Sequence, residues 1–187
     1  MTPTDALRQA CEMLSAGDTA SAKTALELGF APLPASTMRS TWPKTRLVRT
    51  YVLHGFTDRY FGEPLVFPGT LRALSLLAPS IFPYHPNWKQ SLTHAAYWSH
   101  YPSIDHIHAV ARGGADAEEN IVTTSMLHNA AKANWHPSEL GWCNGDAPLL
   151  CDWDGLLPWF IGEYERNGDL RSHKSLQEWY RAAKIAA

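Results

Sequence analysis

Between Ser103 and Lys132, thirty residues carry an Asp-His pair, a Gly-Gly turn, two asparagines and a lysine in a set order. No other stretch limits the fold as tightly. Asp105-His106 closes a short β-branched run, and Gly113-Gly114 opens a loop, because glycine takes the angles of a sharp reversal without steric cost. Asn120 stands before Ile121-Val122, and Thr123 or Thr124 is placed to cap a helical stretch bearing Ser125, His128, Asn129 and Lys132. At 3.6 residues per turn those four fall within an arc of roughly 100°, which is expected to face a ligand. Neighbours along an ideal strand point to opposite faces, so Asp105 and His106 reach one site only if the strand ends or twists there.

A chain of 187 residues can bury a real core, and 45% apolar residues with eight Trp argue against disorder. No window approaches the roughly 18 consecutive apolar residues of a membrane helix. The opening Met1-Thr-Pro-Thr-Asp-Ala-Leu-Arg lacks a basic segment followed by an apolar core, so no secretory leader is expected and the protein is read as soluble and cytoplasmic. Cys11, Cys143 and Cys151 are odd in number and lack Cys-x-x-Cys spacing, which argues against a disulfide framework or a zinc knuckle and for buried thiols. The formal charge of −2 does not by itself mark a nucleic-acid partner. Its distribution says more: Arg39, Lys44, Arg46, Arg49 and Arg59 face only Asp58 across that stretch, an excess of four positive charges. Such a stretch is either one wall of a DNA groove or a solvated helix face.

Residues 4 to 29 read as two short helices, the first capped by Thr4 and broken by Gly17, the second starting at Thr19. Pro32, Pro34 and Pro43 make residues 30 to 43 a connector with little regular structure. Lys44 to His54 reads as an amphipathic helix with Leu47, Val48, Tyr51 and Val52 on one side and Arg46 and Arg49 on the other. A helix from Thr70 ends at Pro79, and Trp88 to His100 is irregular or helical. Pro137-Ser138 starts a brief helical turn. Asp154 to Glu165 and Ser172 to Lys184 read as closing helices that pack Trp159, Phe160, Tyr164, Leu176, Trp179 and Tyr180.

The ordered series Asp105-His106, Asn120 and Asn129-x-x-Lys132, with fourteen residues from His106 to Asn120 and nine from Asn120 to Asn129, resembles the HNH endonuclease family. The resemblance is strongest over residues 103 to 132 and reaches back loosely to about residue 44. It implies an α+β fold, a mainly helical protein around a small ββα-metal core at about 101–134. The expected organisation is a helical segment and linker over residues 1–43, then an HNH domain with C-terminal helices over 44–187. Many family members hold a structural zinc with two Cys pairs. Here those positions fall on Asp58 and Phe61, and on Ser125 and His128, so no structural zinc is expected.

The implied activity is hydrolysis of phosphodiester bonds in DNA, double-stranded in the first instance, with defence, restriction and mobile-element roles all open. His106 is the candidate general base, since an imidazole accepts a proton from water near neutral pH. Asp105 and Asn129 offer hard oxygen ligands to a single Mg²⁺ or Mn²⁺. The resemblance implies that Asn120 ties the loop and orients His106. Arg112, His108, His128 and Lys132 are candidate substrate contacts. Each has a plainer reading: His108 as a structural residue, His128 as a remnant of the zinc site or a support for Asn129, Lys132 as part of a solvated helix face. Two other functions stay open, a weak or inactive scaffold that binds nucleic acid and a nuclease directed at RNA.

Overall fold

The computed structural model describes residues 1–30 and 42–186. The chain divides into two compact units, Met1–Ser36 and Thr37–Ala187, and the division falls within the connector read from the prolines. Most of that connector lies outside the described residues.

The first unit is a helical hairpin of α1 (Pro3–Ser15) and α2 (Thr19–Gly29). Thr2 rather than Thr4 caps α1. Its hydroxyl accepts from the Asp5 N–H while the Asp5 side chain reaches back to the Thr2 backbone, and Pro3 supplies the preset first helical position. The two helices meet through small side chains, Ala6 and Ala10 against Ala22 and Ala25, all buried.

The second unit is mainly helical around one two-stranded antiparallel sheet. It opens with α3 (Lys44–Leu53) and α4 (Pro68–Leu77), the latter starting two residues before Thr70 because Pro68 occupies the first turn. Four-residue α5 (Ala96–Ser99) leads into β1 (Pro102–His106). β2 (Ile121–Ser125) pairs with it in a register that sets Pro102 opposite Ser125 and His106 opposite Ile121. Helix α6 (Met126–Lys132) follows without a linker, so β1, β2 and α6 form one consecutive strand-strand-helix unit. The chain closes with α7 (Leu157–Arg166), α8 (Gly168–Ser172) and α9 (Lys174–Ala186).

The main core joins α3, α4, α7 and α9 through Val48, Tyr51, Phe67, Phe160, Leu176 and Trp179. Its T-shaped Phe67–Trp179 contact, with centroids 5.7 Å apart, ties the α4 entry to α9. The side of α3 read as apolar holds for Val48 and Tyr51, whereas Val52 is exposed; Trp159 on α7 is likewise exposed rather than packed. A second cluster sets Tyr97 of α5 against Leu71, Tyr84 and Trp88. All three cysteines are exposed, contrary to the expectation of buried thiols. Among the described residues no helix is long and apolar enough to cross a membrane.

Candidate functional site

The sheet places the Asp-His pair at the end of β1, where the tension over strand alternation is resolved. β1 stops at His106, and the two side chains diverge. Asp105 turns inward, 8% exposed, and its Oδ2 accepts from the Tyr60 hydroxyl at 2.7 Å. Burial, reinforced by the Asp105 charge, pushes the Tyr60 phenol up well beyond the ordinary tyrosine range, so Tyr60 stays a proton donor to the carboxylate. The same Oδ2 lies 2.9 Å from the Lys132 ammonium. His106 turns the other way, where its Nε2 lies 2.9 Å from Asp116 Oδ1. Both residues nonetheless line one cleft of about 460 Å³, together with Asp116, Asn129 and, on the far wall, Lys44 and Trp179.

A carboxylate only accepts hydrogen bonds, so the His106–Asp116 contact puts the imidazole proton on Nε2. The lone pair of the neutral ring then sits on Nδ1, the atom able to take a proton from water. Asp116 does not stand out in the sequence, where it is one more acid in an Asp-Ala-Glu-Glu loop; only its place two residues after Gly113-Gly114 marks it. Tyr60 escapes sequence reasoning too, since nothing local pairs it with Asp105, 45 positions on.

Asn120 holds the loop between the strands. Its side-chain carbonyl accepts from the His108 N–H at 2.9 Å, and its amide donates to His108 O at 2.9 Å and Ala115 O at 2.7 Å. The two glycines make the close turn possible: Gly113 has φ +92°, and a Cβ on Gly114 would lie 1.9 Å from His108 O. Both the loop tie and the turn place His106 and Asp116 on opposite ends of one fixed span.

Helix α6 is capped by Ser125, whose hydroxyl accepts from the His128 N–H at 3.0 Å; Thr123 and Thr124 are buried in β2 and do not cap it. Its polar arc turns inward. Asn129 lines the cleft, where its Nδ2 donates to Ser103 Oγ at 2.6 Å and Ile104 O at 3.2 Å. Lys132 is fully buried and bonds His106 O at 2.8 Å as well as Asp105, so it is not part of a solvated helix face and its ammonium is spent inside the protein.

The other candidates lie away from the cleft lining. Arg112 is exposed and paired with Glu139, which holds the Glu139 carboxyl below its usual range. His108 is exposed beyond the strand end, its ring 6.3 Å from that of His136. His128 donates from Nδ1 to Asp58 Oδ2 at 2.8 Å.

The four positions aligned with the zinc-binding pairs do converge. Buried Asp58 accepts from the Ser125 N–H at 2.8 Å, the Thr124 hydroxyl at 2.9 Å and the His128 ring, while Tyr60 N–H reaches its other oxygen at 3.0 Å. Phe61 packs at a tilt against His128 with centroids 4.1 Å apart, and Trp142 packs edge-on against Phe61 at 4.8 Å. A hydrogen-bonded carboxylate and an aromatic cap occupy this corner.

Among the described residues no group of three or more His, Cys, Asp or Glu side chains gathers as a metal site. Asp105 and Asn129 both line the cleft, but Asp105 Oδ2 is already engaged by Tyr60 and Lys132, which leaves Asp105 Oδ1 and the Asn129 amide oxygen as the oxygens that would meet a hard cation retaining most of its water. No family model matches the chain, and no curated protein or solved structure matches it either. The family resemblance therefore rests on the sequence motif alone.

Proposed function

We propose that the protein is a metal-dependent HNH endonuclease that hydrolyses phosphodiester bonds in DNA, built on the β1–β2–α6 unit. The observation that carries this reading is the cleft wall shared by Asp105, His106 and Asn129, with Asn120 stapling the loop behind them. His106 takes the proton of the attacking water on Nδ1, and Asp116 fixes the ring through Nε2. Asp105 and Asn129 would hold a single Mg²⁺ or Mn²⁺, which when bound supplies Lewis-acid stabilisation of the phosphate and the leaving oxygen. Tyr60 and Lys132 fix the Asp105 carboxylate so that it is positioned before any substrate arrives.

One observation favours a second reading. The Lys132 ammonium already sits against Asp105, as it would in a scaffold that grips nucleic acid without cutting it. The two separate in a substrate panel of supercoiled plasmid, single-stranded DNA and RNA, incubated with Mg²⁺ or Mn²⁺ and with EDTA. DNA cleavage abolished by EDTA supports the endonuclease; binding without cleavage under every metal supports the scaffold, and cleavage of RNA alone redirects the substrate.

A further inference from the structure

A second pocket, also about 460 Å³, lies on the opposite face of α3, lined by Thr45, Arg46, Arg49, Thr50, His54 and Glu118 among others. The spacing explains the division. Lys44, Leu47 and Tyr51 follow one another at helical intervals toward the catalytic cleft, while Arg46, Arg49 and Leu53 follow one another toward the second pocket. Its far side is made by Glu118 and by Ile121, the residue paired with His106 across the sheet. The two pockets thus flank one helix and one hairpin.

The chemistry of the pocket is that of an anion site. Among the described residues neither Arg46 nor Arg49 forms an ion pair with a carboxylate. The Arg46 guanidinium lies 3.5 Å from the centre of the ring of Trp42, an aromatic that lines the first cleft rather than this pocket, and this cation–π contact uses none of its N–H donors. The Thr123 N–H donates to His54 Nδ1 at 3.1 Å, which puts the imidazole proton on Nε2 and makes His54 a neutral donor on the pocket wall. Glu118 is the acid on that wall, and two guanidiniums outweigh it. No Trp, Tyr or Phe is among the lining residues, so a nucleobase has no stacking platform there.

We infer that this pocket seats a phosphodiester of the nucleic-acid backbone beside the cleavage site, with Arg46 and Arg49 as its charged donors. The inference rests on the nuclease reading and extends it to how the substrate's flank is held. Arginine forks match phosphate oxygens in pairs, and such bonds position a duplex without reading its sequence.

The test is fluorescence anisotropy of a labelled DNA duplex with the full chain in EDTA, across a salt series. Arg46→Ala/Arg49→Ala is expected to weaken binding about tenfold or more and to reduce the slope of log affinity against log salt by about 0.9, the value for the one phosphate charge left unneutralised. Arg46→Lys/Arg49→Lys is expected to restore the slope while recovering only part of the affinity. Neither side chain is buried, and unchanged circular dichroism would exclude misfolding. Equal affinity and slope for the wild type and the Ala variant would overturn the inference while leaving the nuclease reading intact. Loss of binding in the Ala variant of a protein that cuts nothing would support the pocket and sink the nuclease reading. Displacement of the duplex by inorganic phosphate far beyond its ionic-strength effect would overturn the inference in favour of a small-anion site.

Discussion

The Lys132 ammonium and the Asp105 carboxylate form an ion pair of 2.9 Å with both side chains enclosed, the lysine at 0% exposure and the aspartate at 10%. Lys132 also bonds His106 O, so one cation joins the helix to the strand end that carries both candidate catalytic groups. Removing one partner of a buried pair leaves the other charge without compensation, at a cost of about 3 kcal/mol or more. Lys132→Met is expected to lower the urea-unfolding free energy by that amount. The double variant Lys132→Met/Asp105→Asn should recover a large part of it, and additive losses in the double-mutant cycle would contradict the pairing.

Asp58 supports the corner it shares with Phe61, Ser125 and His128. Its own side chain is fully buried and accepts from Ser125, Thr124, Tyr60 and the half-buried His128. Asp58→Ala strands several of these donors, and a loss of about 3 kcal/mol is expected from the unsatisfied groups. A change below about 1 kcal/mol in chemical denaturation would show that water takes over these bonds.

Asn120 makes three bonds across one exposed loop, so its removal should act on geometry more than on stability. Asn120→Ala is expected to reduce DNA cleavage about tenfold or more while shifting stability by less than about 1 kcal/mol. Gly114→Ala should reproduce the activity loss by forcing the His108 carbonyl away. The comparison is made by single-turnover cleavage alongside thermal unfolding.

His54 gives the fold a pH dependence. Burial, and then the neighbouring Arg59 charge, depresses its imidazole below the usual histidine range. The unfolded chain therefore binds the proton more readily. This contribution to stability is fully present above the unfolded pKa of about 6.5 and is lost as pH falls through the depressed folded value. Protonation also removes the acceptor for the Thr123 N–H. Urea midpoints measured from about pH 7.5 down to about pH 5 should fall for the wild type, and less steeply for His54→Gln, which keeps an acceptor but does not titrate.

What can be read from the sequence follows a physical division. Helical spacing places α3, α7 and α9, because an apolar stripe is a local signal, and it does so although α3 and α7 carry no side-chain cap. The ordered residues of 103–132 place Asp105, His106 and Asn129 on one wall and Asn120 on the loop, since close sequence spacing leaves few arrangements. Partners brought together by tertiary packing are not legible: Tyr60 on Asp105, Asp116 on His106, and Asp58 on the α6 cap. Lys132 reads as a substrate contact or part of a solvated helix face because its burial depends on β1 lying beneath it. The cysteines mislead for a related reason: composition favours their burial, but Cys143 and Cys151 sit exposed in the irregular segment between the helical turn Pro137–Leu140 and α7.

The role of His106 as general base is tested by single-turnover cleavage of supercoiled plasmid by the wild type and by His106→Ala, with Mn²⁺ or Mg²⁺ and matched circular dichroism. Nicked or linear product from the wild type, reduced at least about a hundredfold in the folded variant, is the expected result for a general base. Cleavage by His106→Ala at the wild-type rate, or none by the wild type with either metal, would contradict it.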